Sequence, residues 1–187
     1  MSWHKWIGVT LLALIAYRLV WGLIGPRSAR LLSMIASPTK IYRYARTLLD
    51  KPYTPSLGHN PLGGLAVLAL LGTITFQLVT GLFSVDVDGL ASGWFGHLVS
   101  FETGRWFSDL HGVSFNVLLA LIALHITAII LYTLMVDVDL IGPMITGDQT
   151  RPSVPEGYKR AQVSLSRFAI AIACAGITVM LVTNLGR

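Results

Sequence analysis

The sequence predicts an all-α integral membrane protein, a helical bundle of four transmembrane helices with one further amphipathic helix on the cytoplasmic surface. Of its 187 residues, 53% are hydrophobic and only 12% are charged, whereas soluble domains carry about 25% charged residues. Four apolar runs each reach the length of about 20 residues that a helix needs to cross a bilayer. Because these runs are continuous rather than alternating, they argue against a transmembrane β-barrel. We expect one domain over residues 1–187, with spans at residues 3–24, 62–83, 109–136 and 165–185.

The first predicted span carries a histidine in its first turn, His4. Gly8 follows one turn later on the same face, where a missing side chain would let a flat cofactor lie against the backbone. Helix packing through small residues explains Gly8 equally well. Arg18 lies 14 residues after His4 and therefore shares its face at the opposite end. Its side chain could extend to the membrane surface or meet an anionic group.

A basic segment joins the first two spans, and it holds six of the 14 basic residues. Ser37 followed by Pro38 is a helix-start signal. Apolar residues then recur at helical spacing, namely Ile41, Tyr44, Ala45 and Leu48. We expect an amphipathic helix on the cytoplasmic leaflet, with a solvated basic loop as the alternative. His59 precedes the second span, where it is either a polar turn residue or a ligand that reaches a buried group.

The distribution of basic residues predicts the orientation of the spans. The loops before the second and fourth spans carry six and three basic residues, and the loop between the second and third spans carries one, Arg105. By the positive-inside rule, the first and third loops are cytoplasmic and the middle loop is extracytoplasmic. The basic residues are therefore topology signals and do not indicate a nucleic-acid surface.

The third predicted span contains two histidines, His111 and His125, 14 residues apart. Fourteen residues of helix return to within about 40° of the starting face and rise about 21 Å, so both imidazoles lie on one stripe. Ionisable side chains within a membrane are costly and are read as functional by default, although two helix-end histidines could also reach interfacial water. We expect Asp109 at the N-terminus of this helix, where a carboxylate suits the helix dipole. Gly112 adjoins His111 and should leave space beside its imidazole.

The middle loop and the fourth span contain fewer candidate functional residues. The middle loop contains His97, which we expect to be exposed. The fourth span is predicted to be a packing helix. The single cysteine, Cys174, lies within it, so an intramolecular disulfide is excluded and the thiol is expected to pack as a small apolar group.

This topology places His4 and His111 at one depth beneath the extracytoplasmic surface, while His125 and Arg18 share a level near the cytoplasmic side. Two imidazoles from facing helices are what a six-coordinate haem requires. A zinc site would need a third or fourth ligand at the same depth, and the sequence offers neither a cysteine nor a carboxylate there. A metal transporter is disfavoured for lack of intramembrane carboxylates.

Several motifs resemble the bacterial cytochrome b561 and nickel-iron hydrogenase cytochrome b superfamily over most of the chain. They are the run HKWIGVTLLALIAYRLVWG, the motif GHNPLGG, the helix with histidines 14 residues apart, and PMITG. The resemblance implies a bacterial inner-membrane protein that holds b-type haem and works in a respiratory chain. It implies electron transfer between quinone or quinol and a c-type cytochrome or hydrogenase. Such a chain would be an electron-transfer subunit rather than a stand-alone enzyme.

The same resemblance implies haem ligands residue by residue. It assigns His4 and His111 to the outer haem and His125 to the inner one. Family members usually carry another helix, with a fourth histidine, before the helix that here begins at His4, whereas this chain starts with MSWH. His125 would then lack its usual partner, so we expect a late start, a one-haem form, or a second site completed by another chain or by His59. The other residues expected at the cofactor are Gly8, Gly112 and Arg18.

A competing hypothesis is a non-redox membrane anchor or scaffold for a soluble partner. In that case the histidines would be interfacial polar groups, and replacing His4 or His111 would leave partner binding intact.

Overall fold

Five helices form the described part of the chain, and four of them are apolar and long enough to cross a membrane. The computed structural model describes residues 2–26, 29–47, 60–136, 142 and 164–186. The four long helices are α1 (Ser2–Ile24), α3 (Pro61–Phe83), α4 (Phe101–Val136) and α5 (Leu165–Leu185), and the short helix α2 is Pro38–Thr47. Within these ranges there is no strand beyond one isolated bridge pair. The prediction of an all-α bundle with four spans is confirmed.

Local signals in the sequence set the starts of two helices. The Asn60 side chain accepts a hydrogen bond of 2.6 Å from the backbone N–H of Gly63, and proline stands at the first position of α3, an arrangement that satisfies one free N–H and presets the helical φ. Helix α2 begins at Pro38, as predicted. Its Tyr44 hydroxyl lies 3.1 Å from the Tyr132 hydroxyl near the end of α4. The amphipathic helix therefore exists, while its place on the cytoplasmic leaflet stays a prediction.

Helix α4 begins at Phe101, eight residues earlier than predicted. The Ser100 hydroxyl caps it by accepting a 3.2 Å hydrogen bond from the Thr103 N–H. Asp109 is therefore two turns inside the helix and not at its N-terminus, and it pairs with Arg105 at 3.5 Å, one turn earlier. The prediction failed because this polar and aromatic segment was assigned to the loop. At about 54 Å, α4 is longer than the hydrocarbon core of about 30 Å.

The long helices alternate in direction along the bundle. Helix α1 packs mainly along α5, and α3 packs mainly along α4. Near the start of α5, Phe168 makes edge-to-face contact with Trp21 of α1, with ring centroids 6.2 Å apart. At the other end, Gly186 lies against Trp94. The bundle therefore has one end that holds His4 and His111, here termed the His111 end, and an opposite end that holds Arg18 and His125, termed the His125 end.

A short 3₁₀ turn, Leu31–Met34, lies between α1 and α3 at the His125 end. The turn approaches both helices at glycines. A Cβ on Gly64 would stand 2.6 Å from the Met34 carbonyl oxygen, and one on Gly22 would stand 2.5 Å from the Cγ atom of Leu31. Gly64 therefore has to be glycine for the turn to pack closely, because its contact is with backbone, and a side chain at Gly22 would displace Leu31.

Candidate functional site

The imidazoles of His4 and His111 meet at the His111 end of the bundle. Their ring centroids are 6.0 Å apart and their planes are nearly perpendicular, at 88°. An imidazole nitrogen lies about 2 Å from a metal that it binds, so two rings that flank one metal ion have centroids roughly 6 Å apart. The spacing therefore suits a single metal ion between the two histidines, which come from α1 and α4.

Both rings line a cavity of about 430 Å³, a size within the range of about 300–1,000 Å³ that is usual for ligand and cofactor pockets. The wall is largely apolar and comes from α1, α3 and α4. Gly8 lies on this wall, and a Cβ added there would have no atom within 4 Å, so the backbone of α1 is open to the cavity at this turn. Apolar side chains that complete the wall include Leu12, Leu78, Phe115 and Leu118.

The loop between α3 and α4, residues 84–100, covers this end of the cavity. Its backbone is held to itself and to the end of α3: the Gly93 N–H donates to the Ser84 carbonyl at 2.7 Å, and the Phe95 N–H donates to the Leu82 carbonyl at 2.8 Å. The loop places Trp94 against Trp6 of α1, with ring centroids 5.6 Å apart. Seven loop residues line the cavity, namely Ser84, Val85, Asp86, Ala91, Ser92, Gly93 and Trp94.

Hydrogen bonds fix the orientation of the His111 ring. Its Nδ1 lies 2.9 Å from the backbone carbonyl of Gln77 on α3 and can only donate to it. Its Nε2 lies 3.1 Å from the side-chain nitrogen of Gln77, and the Ser114 hydroxyl donates to the side-chain oxygen of the same amide. The pattern is consistent with one tautomer, in which Nδ1 carries the proton and the Nε2 lone pair accepts a hydrogen bond from the Gln77 side-chain amide. A metal-binding histidine has this form, because its second nitrogen usually donates to a carbonyl or carboxylate.

The glycine that makes room beside His111 is Gly81 on α3. A Cβ at Gly81 would stand 2.8 Å from the Cε1 atom of His111, closer than such atoms approach, so the ring can lie against α3 only because this residue has no side chain. Gly112 is exposed and lies outside the cavity lining. Reasoning from sequence named Gly112 because it adjoins His111, and it did not connect Gly81 or Gln77 with the His111 ring. The available signal was their spacing of four residues, which places both on one face of α3.

Within the ranges that the structure describes, no comparable arrangement surrounds His125. His125 is half-buried on α4, and within the described ranges it makes no hydrogen bond, ion pair or ring contact. The Arg18 guanidinium donates to the Ala29 carbonyl at 3.2 Å, and so it holds the chain that leaves α1. His59 is outside the described residues. His97 is exposed in the loop, as predicted.

Comparison with known families decides what kind of protein carries this pair of histidines. Residues 1–147 match the family described as prokaryotic cytochrome b561. The chain belongs to this family. Neither a curated protein nor a solved structure matches the chain. This cytochrome b561 is therefore a multi-pass membrane protein of the b-type cytochromes, which bind haem and act in electron transport, and the resemblance inferred from its motifs is confirmed.

The residues at the His111 end fit a haem. A haem supplies its own in-plane donors and asks the protein for axial ligands, and the two facing imidazoles can provide them. Among the residues that the structure describes, no group of three or more His, Cys, Asp and Glu side chains could hold a metal ion. When bound, haem provides one-electron oxidation and reduction at its iron.

Proposed function

We propose that this cytochrome b561 carries electrons between the quinone pool and a redox partner, a c-type cytochrome or a hydrogenase, through a haem b held by His4 and His111. The observation that supports the proposal is the 6.0 Å separation of the two rings on the wall of one cavity. In this role His4 and His111 are the axial ligands, and Gln77 keeps the His111 ring in its metal-binding tautomer. Gly8 and Gly81 leave the space that the cofactor and the His111 ring need.

We place the protein as one domain in the bacterial inner membrane, with the His111 end on the extracytoplasmic side. The charges of the described residues support this orientation. Of the basic residues that the structure describes, two lie at the His111 end, Lys5 and Arg105, and six lie toward the His125 end, namely Arg18, Arg30, Lys40, Arg43, Arg46 and Arg167. Membrane proteins retain their basic loops on the cytoplasmic side. A soluble electron-transfer partner such as a c-type cytochrome would then meet the His111 end.

His125 is proposed as a ligand of a second haem nearer the cytoplasmic side. An ionisable group in the middle of an apolar helix is costly unless it has a function or a partner, and this argument supports the assignment. The opposite ligand would come from another chain or from His59. Two haems at the two ends would give electrons a path across the membrane.

The proposal is tested by the spectrum of purified His111→Ala protein. We expect the reduced-minus-oxidised b-type signal that depends on the His4 and His111 pair to disappear, because one axial ligand and its hydrogen bonds to Gln77 are lost. His97→Ala is the matched control, since His97 is an exposed histidine at the same end, and its spectrum should equal that of the wild type. Colourless wild-type protein from haem-replete cells, or a His111→Ala variant with unchanged haem content, would contradict the proposal.

A further inference from the structure

We propose that Lys5, Trp94 and Arg105 form a carboxylate-binding site at the mouth of the cavity, and that its ligands are the two propionate side chains of the haem. The inference deepens the proposed function and rests on it. These three residues come from α1, the 84–100 loop and α4, and all three line the cavity that His4 and His111 share. Two cationic residues and a tryptophan from separate elements therefore lie on the wall of one cavity.

Lys5 supplies a cation that has no carboxylate partner among the described residues. It follows His4 on α1, and its side chain is half-buried on the cavity wall. The Nζ atom lies 5.0 Å from the centre of the Trp94 ring, a cation–π contact that holds the ammonium group over the loop. A partly buried cation is favourable only when it is paired, and a carboxylate from the cofactor would provide that pair.

Trp94 supplies a hydrogen-bond donor that needs an acceptor. Its Nε1 is buried, and no partner for it exists in the described part of the chain. Most buried polar groups in proteins are hydrogen-bonded, so an unpaired N–H calls for an explanation. Trp94 lines the cavity beside the Lys5 ammonium, so a carboxylate bound between them would pair with the Lys5 cation and would offer the indole N–H an acceptor.

Arg105 supplies a second cation, and some of its N–H donors make no hydrogen bond within the described residues. One of its nitrogens donates to the Val85 carbonyl at 3.1 Å, and another lies 3.5 Å from Asp109, whose side chain is 73% exposed. A guanidinium group has five N–H donors, and an exposed ion pair is weak, so the group can also bind a carboxylate. The one acidic residue on the cavity wall, Asp86, accepts a hydrogen bond of 2.7 Å from the Val87 N–H of its own turn.

The test compares the binding of two ligands to full-length apoprotein in detergent: haem b and its dimethyl ester, in which both carboxylates are blocked. Dissociation constants are read from the Soret absorbance during titration. We expect wild-type protein to bind haem b at least tenfold more tightly than the ester, a factor that corresponds to about 1.4 kcal/mol. In Lys5→Gln and in Trp94→Phe, this preference should fall at least threefold, because each variant removes one charge or one donor. Trp94→Phe retains an aromatic ring beneath Lys5.

Lys40→Gln is the matched control, since Lys40 is an exposed lysine on α2 at the opposite end; its preference for haem b should equal that of the wild type. The wild-type comparison changes only the ligand, so it does not depend on whether a variant folds. Equal binding of haem b and the ester by wild-type protein would overturn the carboxylate site and leave the histidine assignment standing. Failure to bind either ligand would overturn both proposals.

Discussion

The two ends of this cytochrome b561 both carry histidines, but the residues around those histidines differ. At the His111 end, the His4 and His111 rings lie 6.0 Å apart on the wall of one cavity, and the His111 ring is fixed by hydrogen bonds to α3. At the His125 end, the other histidine of the same helix stripe has no described contact. Arg18, which reasoning from sequence placed level with it, donates to a backbone carbonyl instead.

The difference arises from what surrounds each histidine rather than from the helix that carries it. Helix α4 presents both imidazoles along one stripe, because 14 residues bring the helix almost back to the same face. Among the described residues, a second helix, a glycine and a loop close around the ring at the His111 end, and no such set surrounds His125. The two ends therefore give different expectations for the same type of substitution.

The largest expected effect is the difference in haem content between His4→Ala and His125→Ala. His4→Ala removes one of the two rings at the cavity, so the haem at the His111 end should be lost. His125→Ala leaves that cavity untouched, and the variant should retain a b-type spectrum. The measurement is haem per protein after purification, together with the reduced-minus-oxidised spectrum of each variant. If His125→Ala abolished the spectrum and His4→Ala did not, the functional assignment of the two ends would be reversed.

A smaller effect is expected from closing the space beside His111. In Gly81→Ala, the new Cβ would stand 2.8 Å from the ring, and overpacking of this kind costs about 1–3 kcal/mol. Haem affinity at the His111 end should fall about tenfold, because the ring must move from its place against α3. Gly72→Ala on the same helix is the control, since a Cβ there meets no atom within 4 Å. Equal affinities in the two variants would show that the close approach of α3 does not position the ring.

The smallest effect is expected from Gln77→Leu, which keeps the backbone carbonyl that accepts from His111 and removes only the side-chain amide. The haem should stay bound with nearly unchanged affinity, because the Nδ1 hydrogen bond to the backbone carbonyl is kept, while its reduction potential shifts, because hydrogen bonds around a metal-binding histidine tune the metal. The measurement is a potentiometric titration of the b-type band. Thr75→Val serves as control, since Thr75 donates only within α3, to the Leu71 carbonyl. A potential identical to that of the wild type would exclude a tuning role for Gln77.

Short-range features were predictable wherever a local signal decided them. The four apolar runs predicted the spans, and the Ser37 and Pro38 pair predicted the start of α2. Residues 4 and 111 lie at one level of the bundle, because each is near the same end of its span. The early start of α4 was missed, since its first two turns are too polar to read as part of a span. They are held by the Ser100 cap and the Arg105–Asp109 pair instead.

By itself, the sequence determined the number of spans, their alternation and the relative heights of His4, His111 and His125 along their helices, because bilayer thickness and the helical rise fix those quantities. The tertiary structure alone decided that Gln77 and Gly81 face His111 and that the 84–100 loop closes the cavity with Trp94. The physical reason is that the long helices are apolar on nearly every side. A helix without a polar face carries little information about its rotation, so the rotation of each span is set only when the helices and the loop pack together.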